Sequence, residues 1–172
     1  MRTIDIRYAN ADDAELIADL SRQTFYENYA SYNTKEDMDK FMNEQFTKEA
    51  LMKEITAPGN IFLLAYIENE VKGYMRMREN KRPAELNKVK AIEIGRIYAS
   101  TNAIGKGIGS ALMQKAIEVG KENGKQIIWL SVWPKNQRAI NFYIKWGFEK
   151  FGEQDFILGN DVQRDWLMKK TL

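Results

Sequence analysis

The spacing of hydrophobic residues changes along this chain, from a helical repeat in the first third to strand-like alternation afterwards. Residues 3–9 alternate and predict a first strand. Between residues 10 and 58, apolar side chains recur at helical spacing and predict three helices. The predicted N-caps, whose side chains accept hydrogen bonds from the first amides of a helix, are Asn10 or Asp12 for the first helix and Thr34, in a capping box with Asp37, for the second. The third helix is predicted to start near Thr47.

After residue 58 the pattern predicts strands and two further helices. Residues 61–67 and 71–78 are β-rich runs on either side of a short polar turn, and they predict a hairpin. The chain shows no internal repeat or linker, so we predict one domain over residues 1–172. We expect an α/β (α+β) fold with a mixed, mostly antiparallel sheet. The later predicted elements are a strand over 89–99, a helix ending at about Glu122, a strand over 127–132, a helix over 137–145 and a hairpin turning at 158–161.

The composition excludes several classes of protein. A length of 172 residues suits one domain with one sizeable core, and a net charge of +2 gives no general attraction to nucleic acid or to a membrane surface. The longest apolar run, residues 61–67, is too short to span a bilayer, and the N-terminus lacks a signal-peptide pattern. We therefore expect a cytoplasmic protein with neither a nucleic-acid partner nor a membrane partner.

The sequence contains neither cysteine nor histidine. Their absence excludes disulfides, a thiolate nucleophile, zinc–thiolate sites, a histidine base and histidine-ligated metals. We expect no metal, and any catalysis must use carboxylates, tyrosine, lysine, hydroxyl groups and backbone amides. A protein that only binds a ligand would fit this composition equally well.

Charge is divided unevenly between two parts of the chain. Residues 10–54 hold 11 acidic and 5 basic side chains, a net charge of −6, whereas residues 55–172 hold 12 acidic and 19 basic ones, a net charge of +7. Two interpretations fit this division. One is ordinary solvated helix faces; the other is an acidic helical rim that attracts a cation, beside a basic body that holds an anionic cofactor.

A glycine-rich turn, GKGIGS at residues 105–110, opens the helix that follows the fourth predicted strand. Gly105, Gly107 and Gly109 lack a Cβ, so a ligand can approach the backbone closely. The amides of Gly107, Gly109 and Ser110 are expected at the positive end of that helix, where they have no intrahelical partners and favour a phosphate or pyrophosphate. The turn is neither a P-loop, which needs GxxxxGK[ST], nor a GxGxxG after a first strand.

A second motif, WPKNQRAINFYIKWGF, occupies residues 133–148 and contains N-x-x-A-x-x-F-Y-x-x-x-G-F. With the preceding strand, glycine turn, helix and strand, it closely resembles the GNAT superfamily of acyl-CoA N-acyltransferases over residues 92–148. The resemblance implies the GNAT fold, a seven-stranded sheet flanked by helices and splayed between its fourth and fifth strands. It also implies acetyl-CoA as co-substrate, with its pyrophosphate on the glycine turn.

The turn departs from the family pattern Q/R-x-x-G-x-G/A at one position. The Q/R position falls on Ile104, so the backbone cradle remains while a polar side chain is lost, and Lys106 is the candidate substitute. Asn136, at a strand-to-helix junction, is expected either to bond the pantetheine arm or to cap the helix. The cofactor-binding residues that the resemblance implies are Ile97, Tyr98, Ala99, Gly105, Lys106, Gly107, Ile108, Gly109, Ser110, Asn136, Phe142 and Tyr143.

Two catalytic residues follow from the resemblance. Tyr143 occupies the position that often donates a proton to the leaving CoA thiolate, although Phe142 and Tyr143 as a pair also fit two core aromatics. Glu93 occupies a strand position where family members often carry a carboxylate that relays the proton of the amine. The alternative for Glu93 is a strand residue paired with Arg96 or Lys90, and the fallback carboxylates are Glu27 and Glu44.

A narrower resemblance concerns the acetyl acceptor. Residues 24–46, 93–100 and 129–136 look like the bacterial spermidine/spermine N-acetyltransferase branch, which implies a polyamine or similar small amine. Aromatic rings attract cations, so Tyr26, Tyr29 and Trp133 are the candidate acceptor-binding residues. Ordinary core packing is the alternative for each. The resemblance also allows a homodimer, because dimers are common in the family.

The function that these observations favour is transfer of an acetyl group from acetyl-CoA to a primary amine, a polyamine such as spermidine or spermine, by direct attack in a ternary complex. The absence of cysteine and histidine argues against a covalent relay. The alternatives are acetylation of a protein N-terminus or amino acid, and a non-catalytic acyl-CoA-binding module. A different nucleotide on the same turn is a further alternative.

Overall fold

Helices fill most of the first third of the chain, and strands dominate the rest, in a computed structural model that describes residues 3–172. Five α-helices and seven strands are present among these residues. In chain order they are β1 Ile4–Tyr8, α1 Ala14–Tyr29, α2 Lys35–Gln45, α3 Lys48–Thr56, β2 Asn60–Ile67, β3 Glu70–Arg78, β4 Ala91–Ala99, α4 Ile108–Glu122, β5 Ile127–Val132, α5 Gln137–Lys145, β6 Glu149–Leu158 and β7 Asp161–Thr171.

Polar side chains start the N-terminal helices, as the sequence predicts. Asn10, not Asp12, is the first cap, and it leads into a short 3-10 turn before α1. Thr34 accepts a hydrogen bond from the Asp37 amide at 3.1 Å. The Thr34 hydroxyl also donates to the Asp37 carboxylate at 2.8 Å, so the reciprocal bond joins two side chains instead of reaching the backbone of the cap. Thr47 caps α3 in the same manner, accepting from an amide three residues later.

The turn between β2 and β3 is tighter than the predicted one. Glu68 and Asn69 have φ values of 52° and 66°, and Glu70 already belongs to β3. Two successive left-handed residues are the signature of a type I′ turn, whose twist matches that of the two strands it joins. The hairpin itself is confirmed, with β2 and β3 paired antiparallel along their length.

The seven strands form one mixed sheet in the order β1–β2–β3–β4–β5–β7–β6. Every neighbouring pair is antiparallel except β4 and β5. The parallel pair is short, because residues 91–94 of β4 pair with residues 127–130 of β5 and the register stops there. Beyond Ile94, β4 continues beside β3 while β5 continues beside β7, so the two strands diverge. The mixed sheet and its splay are therefore as predicted.

Each face of the sheet carries its own hydrophobic core. On one face, α4 and α5 pack on residues such as Ile92, Ile94 and Met75. On the other face, α1, α2 and α3 cover Phe62, Leu64, Tyr74 and part of Tyr98. These two helical layers flank the splay, so a ligand entering the gap between β4 and β5 meets both. Within the described residues, no helix is both long and apolar enough to cross a membrane.

Candidate active site

A cavity of about 470 Å³ opens where β4 and β5 diverge. It is bounded by the end of α1, the outer half of β4, the glycine turn with the start of α4, the loop after β5, α5 and the facing parts of β6 and β7. Most of the residues expected to bind cofactor or acceptor line it. They are Ile97, Tyr98, Ala99, Gly105, Gly107, Ile108, Gly109, Ser110, Asn136, Phe142, Tyr143, Tyr29 and Trp133.

The backbone of β4 offers free hydrogen-bonding groups toward the splay. The Ser100 amide bonds the Lys72 carbonyl at 2.9 Å, which marks that pair as a hydrogen-bonded one in the β3–β4 ladder. Antiparallel pairs alternate, so the Tyr98 backbone also bonds β3, whereas the N–H and C=O groups of Ile97 and Ala99 point the other way. The pairing between β4 and β5 ends at Ile94, so those groups have no strand beside them and face the cavity. Of the three predicted backbone contacts, Ile97 and Ala99 are placed to make them, and Tyr98 contributes its side chain instead.

The glycine turn places unpaired amides at the start of α4. Gly107 is the N-cap with a left-handed φ of 88°, and no side chain caps the helix. The first hydrogen bond of the helix is donated by the Ala111 amide to the Gly107 carbonyl at 2.9 Å. The amides of Ile108, Gly109 and Ser110 precede it, and the geometry of an α-helix gives them no partner within the helix. They form a cradle for an anion at the wall of the cavity.

The side chains around this turn do not place Lys106 where it could replace the polar residue lost at Ile104. Lys106 is exposed and does not line the cavity, and its amide donates to the Ala103 carbonyl at 3.1 Å. Ile104 does line the cavity and is 41% exposed. The turn therefore presents backbone donors and an apolar side chain, and the structure does not bring the Lys106 ammonium to the position that a polar residue would occupy.

Asn136 caps α5 and also lies in the wall of the cavity. Its side chain accepts a hydrogen bond from the Ala139 amide at 3.1 Å. The cap fixes where α5 starts, which in turn sets the positions of Phe142 and Tyr143 on the inner face of the helix. A Cβ on Gly109 would meet the ring of Phe142 at 3.5 Å, so the glycine turn packs directly on α5.

Tyr143 lies in the cavity wall with 7% of its surface exposed. Burial raises the pKa of its phenol well above the usual value, and the nearby Tyr29 raises it further. The phenol therefore holds its proton at neutral pH, which is the protonation state that a general acid needs. Tyr143 is also part of the core beneath α5, so the packing that the core-aromatic interpretation predicts is present.

The aromatic residues considered for acceptor binding separate into two groups. Tyr29 and Trp133 both line the cavity, with ring centroids 6.1 Å apart. Tyr32 packs against the outer side of Trp133 at 4.8 Å. Tyr26 is 54% exposed and lies outside the cavity lining, so the structure does not bring it to the other candidate acceptor residues.

Glu93 is not brought to the cavity. It is 2% exposed and forms a two-point ion pair with Arg78, its neighbour in the β3–β4 register. The predicted partners were Arg96 and Lys90, but Arg96 bonds Glu54 at 2.6 and 2.9 Å. The register explains the difference, because Glu93 lies opposite Arg78. An irregularity at Gly95, which is left unpaired on β4, turns Glu93 to the same face of the sheet as Arg96, but Arg96 is already bonded to Glu54.

The two fallback carboxylates also lie outside the cavity lining. Glu27 accepts a hydrogen bond from the Thr101 hydroxyl, which joins α1 to the segment before the glycine turn. That bond, with a second from Gln23, lowers the pKa of Glu27 below its usual range. Glu44 is an exposed residue of α2.

Three charged residues that the sequence did not single out line the cavity: Arg96, Arg138 and Asp165. Asp165, on β7, is 7% exposed, and its Oδ1 atom is buried without a hydrogen-bond partner. Desolvation raises the pKa of this carboxyl to about 6. Side-chain alternation could have indicated that Asp165 is buried, because it puts Asp165 on the same face of the strand as the apolar Leu167. Trp166 and Met168 make the opposite face equally apolar, so the sequence did not show which face is buried.

Known proteins with similar sequences and folds point in one direction. The family model described as "Acetyltransferase (GNAT) family" matches residues 18–148. An uncharacterized N-acetyltransferase from the pepI 3′ region of Lactobacillus delbrueckii subsp. lactis is 36% identical over 97% of this chain and 96% of its own length. The spermidine N(1)-acetyltransferase of Thermoplasma acidophilum is 26% identical over 91% of this chain and 96% of its own. The crystal structure of PaiA N-acetyltransferase from Thermoplasma acidophilum, in complex with coenzyme A, superimposes with a TM-score of 0.81 at 24% identity and covers 99% of both chains.

Proposed function

The chain belongs to the GNAT acetyltransferase family and is an N-acetyltransferase of that type, and from this premise we propose that it transfers an acetyl group from acetyl-CoA to a primary amine. The observation that carries the proposal is the juxtaposition, around one cavity, of an uncapped helix N-terminus, a free strand edge and a buried phenol. Each of the three suits a different part of an acyl-CoA thioester.

Acetyl-CoA would bind along the splay. The amides at the start of α4 suit its pyrophosphate, because they are unpaired and lie at the positive end of a 15-residue helix. The backbone groups of Ile97 and Ala99 that face the cavity suit the amides of the pantetheine arm, which runs extended like a strand. A β4 amide that faced the thioester oxygen would stabilise the developing oxyanion by about 2.7–4 kcal/mol. Coenzyme A in the PaiA crystal structure supports the same choice of ligand.

Tyr143 is the proposed general acid. When the amine nitrogen attacks the thioester carbon and the C–S bond breaks, the thiolate leaves with a negative charge. The Tyr143 phenol lines the cavity and keeps its proton at neutral pH, so it is placed to donate that proton to the sulfur. The sequence contains no cysteine or histidine, and the proposal is therefore direct attack within a ternary complex.

The amine must lose a proton before it attacks. A primary amine with a pKa of about 10.4 is neutral in only about one molecule in 2,500 at pH 7, which costs roughly 4.6 kcal/mol. Glu93 is paired with Arg78 and is not among the residues that line the cavity, so the proposal does not assign this step to it. Solvent that enters through the mouth of the cavity is the proposed first acceptor of the proton.

The proposed acceptor is a polyamine such as spermidine or spermine. Tyr29, Trp133 and further aromatic rings in the cavity suit a cation through cation–π attraction. The spermidine N(1)-acetyltransferase among the relatives supports the same class of acceptor. A second candidate is an amino acid or a peptide N-terminus, favoured by Arg138, a cation on the cavity wall that suits a carboxylate.

The test is thiol release from acetyl-CoA with a panel of acceptors: spermidine, spermine, monoamines, free amino acids, lysine peptides and peptide N-termini. Transfer to the polyamines, with mass spectrometry showing one added acetyl group on nitrogen, would support the proposal. Transfer to amino acids or peptides alone would establish the second candidate. Tight acetyl-CoA binding by calorimetry, without turnover on any acceptor, would overturn both in favour of an acyl-CoA-binding module.

A further inference from the structure

Asp165 is a buried carboxylate with no countercharge. It lies on β7, 93% of its surface is covered, and its Oδ1 atom has no hydrogen-bond partner. Among the residues that the structure describes, no lysine or arginine forms an ion pair with it. Burial of an unpaired carboxylate is costly, and a fold retains such a group at a cavity wall when a ligand completes it.

The surroundings of Asp165 suit a cation. It shares the cavity with four aromatic rings, those of Phe25, Tyr29, Tyr98 and Phe156. The two arginines of the lining are bonded to other residues, Arg96 to Glu54 and Arg138 to Asn28. Gln163, one alternation away on the same strand face, has its amide nitrogen bonded to Asn33 and Asp161 and so is not available to Asp165. An ammonium group in this half of the cavity would gain both the carboxylate and the rings.

Asp165 and Tyr143 lie on opposite sides of the sheet at β7. Trp166 and Met168 pack in the same core as Tyr143. Side chains alternate along a strand, so Asp165 lies on the other face of β7. A carboxylate paired with the attacking amine would also keep that amine protonated and unreactive. Asp165 is therefore better placed to hold a different ammonium group of the same molecule.

We propose that Asp165 binds a second, non-reacting ammonium group of the acceptor, and that the acceptor is consequently a diamine or polyamine. The inference rests on the proposed acetyl transfer, and it names the residue that would select an acceptor with two or more ammonium groups. Asp165 is a specificity-determining residue in this arrangement. One amine of the acceptor lies near Tyr143 and attacks, while the other occupies the space between Asp165 and the aromatic rings.

The experiment compares acceptors that differ by one ammonium group. Initial rates with 1,4-diaminobutane and spermidine are measured against n-butylamine for the wild type, Asp165→Asn and the control Asp155→Asn. Asp155 is an exposed carboxylate on β6 that pairs with Arg164 at 3.0 Å, and it lies outside the cavity lining. Asp165→Ser serves as a second variant, should the Asn variant fail to fold.

The wild type and Asp155→Asn are expected to favour the diamines by 100-fold or more in kcat/KM. Asp165→Asn is expected to lose about 30-fold of that preference, measured as the ratio of kcat/KM for the diamine to kcat/KM for butylamine, because a charge-assisted hydrogen bond is lost. An Asp165→Asn enzyme that kept the full diamine preference would overturn the inference, as would a wild type that showed no such preference.

A binding measurement keeps the two proposals distinguishable. Calorimetry with spermidine in the presence of CoA requires no turnover. If the wild type acetylated no amine but bound spermidine, and Asp165→Asn alone lost that binding, the proposed function would fail while the cation site stood. If the wild type acetylated amines and Asp165→Asn bound spermidine normally, the function would stand and the cation site would be rejected.

Discussion

Glu93 and Arg78 face each other across β3 and β4, and the Nη2 atom of Arg78 donates to Oε1 of Glu93 at 3.0 Å. The second bond joins Nε of Arg78 to the other carboxylate oxygen. Both oxygens of this buried carboxylate are therefore occupied by a neighbour in the sheet. The pair accounts for an acidic residue among the buried and otherwise apolar residues 91–94 of β4, and it gives Glu93 a structural role.

Replacing Glu93 with alanine is expected to destabilise the fold without removing catalysis. The change leaves a largely buried guanidinium without its partner, a loss of about 2–4 kcal/mol. The control is Glu70→Ala, which removes an exposed carboxylate paired with Lys72 at 2.5 Å and should have little effect on stability, because solvent screens the pair. Urea unfolding measures both. A 100-fold fall in kcat with unchanged stability would instead restore Glu93 as the proton relay.

Replacing Tyr143 with phenylalanine is expected to lower kcat by about 100-fold, because the thiolate would leave without a proton donor. The ring and its packing remain, so the affinity for acetyl-CoA should not change. Tyr8→Phe is the control, since Tyr8 is an exposed tyrosine outside the cavity lining. Steady-state kinetics with calorimetry measure the two effects separately. Wild-type turnover in both Tyr143→Phe and Tyr143→Ala would remove the general-acid role.

Replacing Gly107 with alanine is expected to weaken CoA binding at least tenfold. Its φ of 88° strains any other residue by about 1–2 kcal/mol, and relief of that strain would turn the amides away from the pyrophosphate. Gly124→Ala is a matched control, because Gly124 has a φ of 63° and lies at the far end of α4. Both variants should lose similar thermal stability. If their affinities for CoA fell equally, the cradle assignment would be wrong.

Replacing Asp165 with asparagine is expected to stabilise the protein at neutral and alkaline pH. The pKa of Asp165 is raised from 3.8 to about 6, so the folded state holds this proton more tightly than the unfolded chain does. Ionisation therefore destabilises the fold progressively between pH 4 and 6, by about 2–3 kcal/mol at the plateau. The variant should melt about 5–10 °C higher at pH 8, with no gain at pH 3.5. A lower melting temperature at pH 8 would contradict this account.

The KM of the wild type for spermidine is expected to rise as the pH falls below about 6, because Asp165 becomes neutral. The other ionisable side chains in the cavity lining are three tyrosines, whose pKa values burial raises, and two arginines, which stay charged in proteins. None of these titrates between pH 5 and 8. The same profile for Asp165→Asn should be flat over that range, and a parallel rise in the variant would assign the titration elsewhere.

The helices and strands follow closely from the sequence because local signals set them. Thr47 caps α3 where its side chain predicts a helix start, and the bounds of α5 agree with the predicted 137–145. The glycine turn is likewise local, because a left-handed φ at Gly107 requires a residue without a Cβ. Family resemblance supplied the long-range part, the splay between β4 and β5, which no local pattern encodes.

The sequence by itself determined the two motifs, the elements that carry them and the absence of cysteine and histidine chemistry. Only the tertiary structure decided which carboxylate faces the cavity. The irregularity at Gly95 and the register with β3 direct Glu93 to Arg78, while the pairing of β7 with β5 brings Asp165 beside Tyr29 from the other end of the chain. Both outcomes depend on which strands pair and in what register. The alternation of side chains within one strand does not specify which residue of another strand will lie beside them.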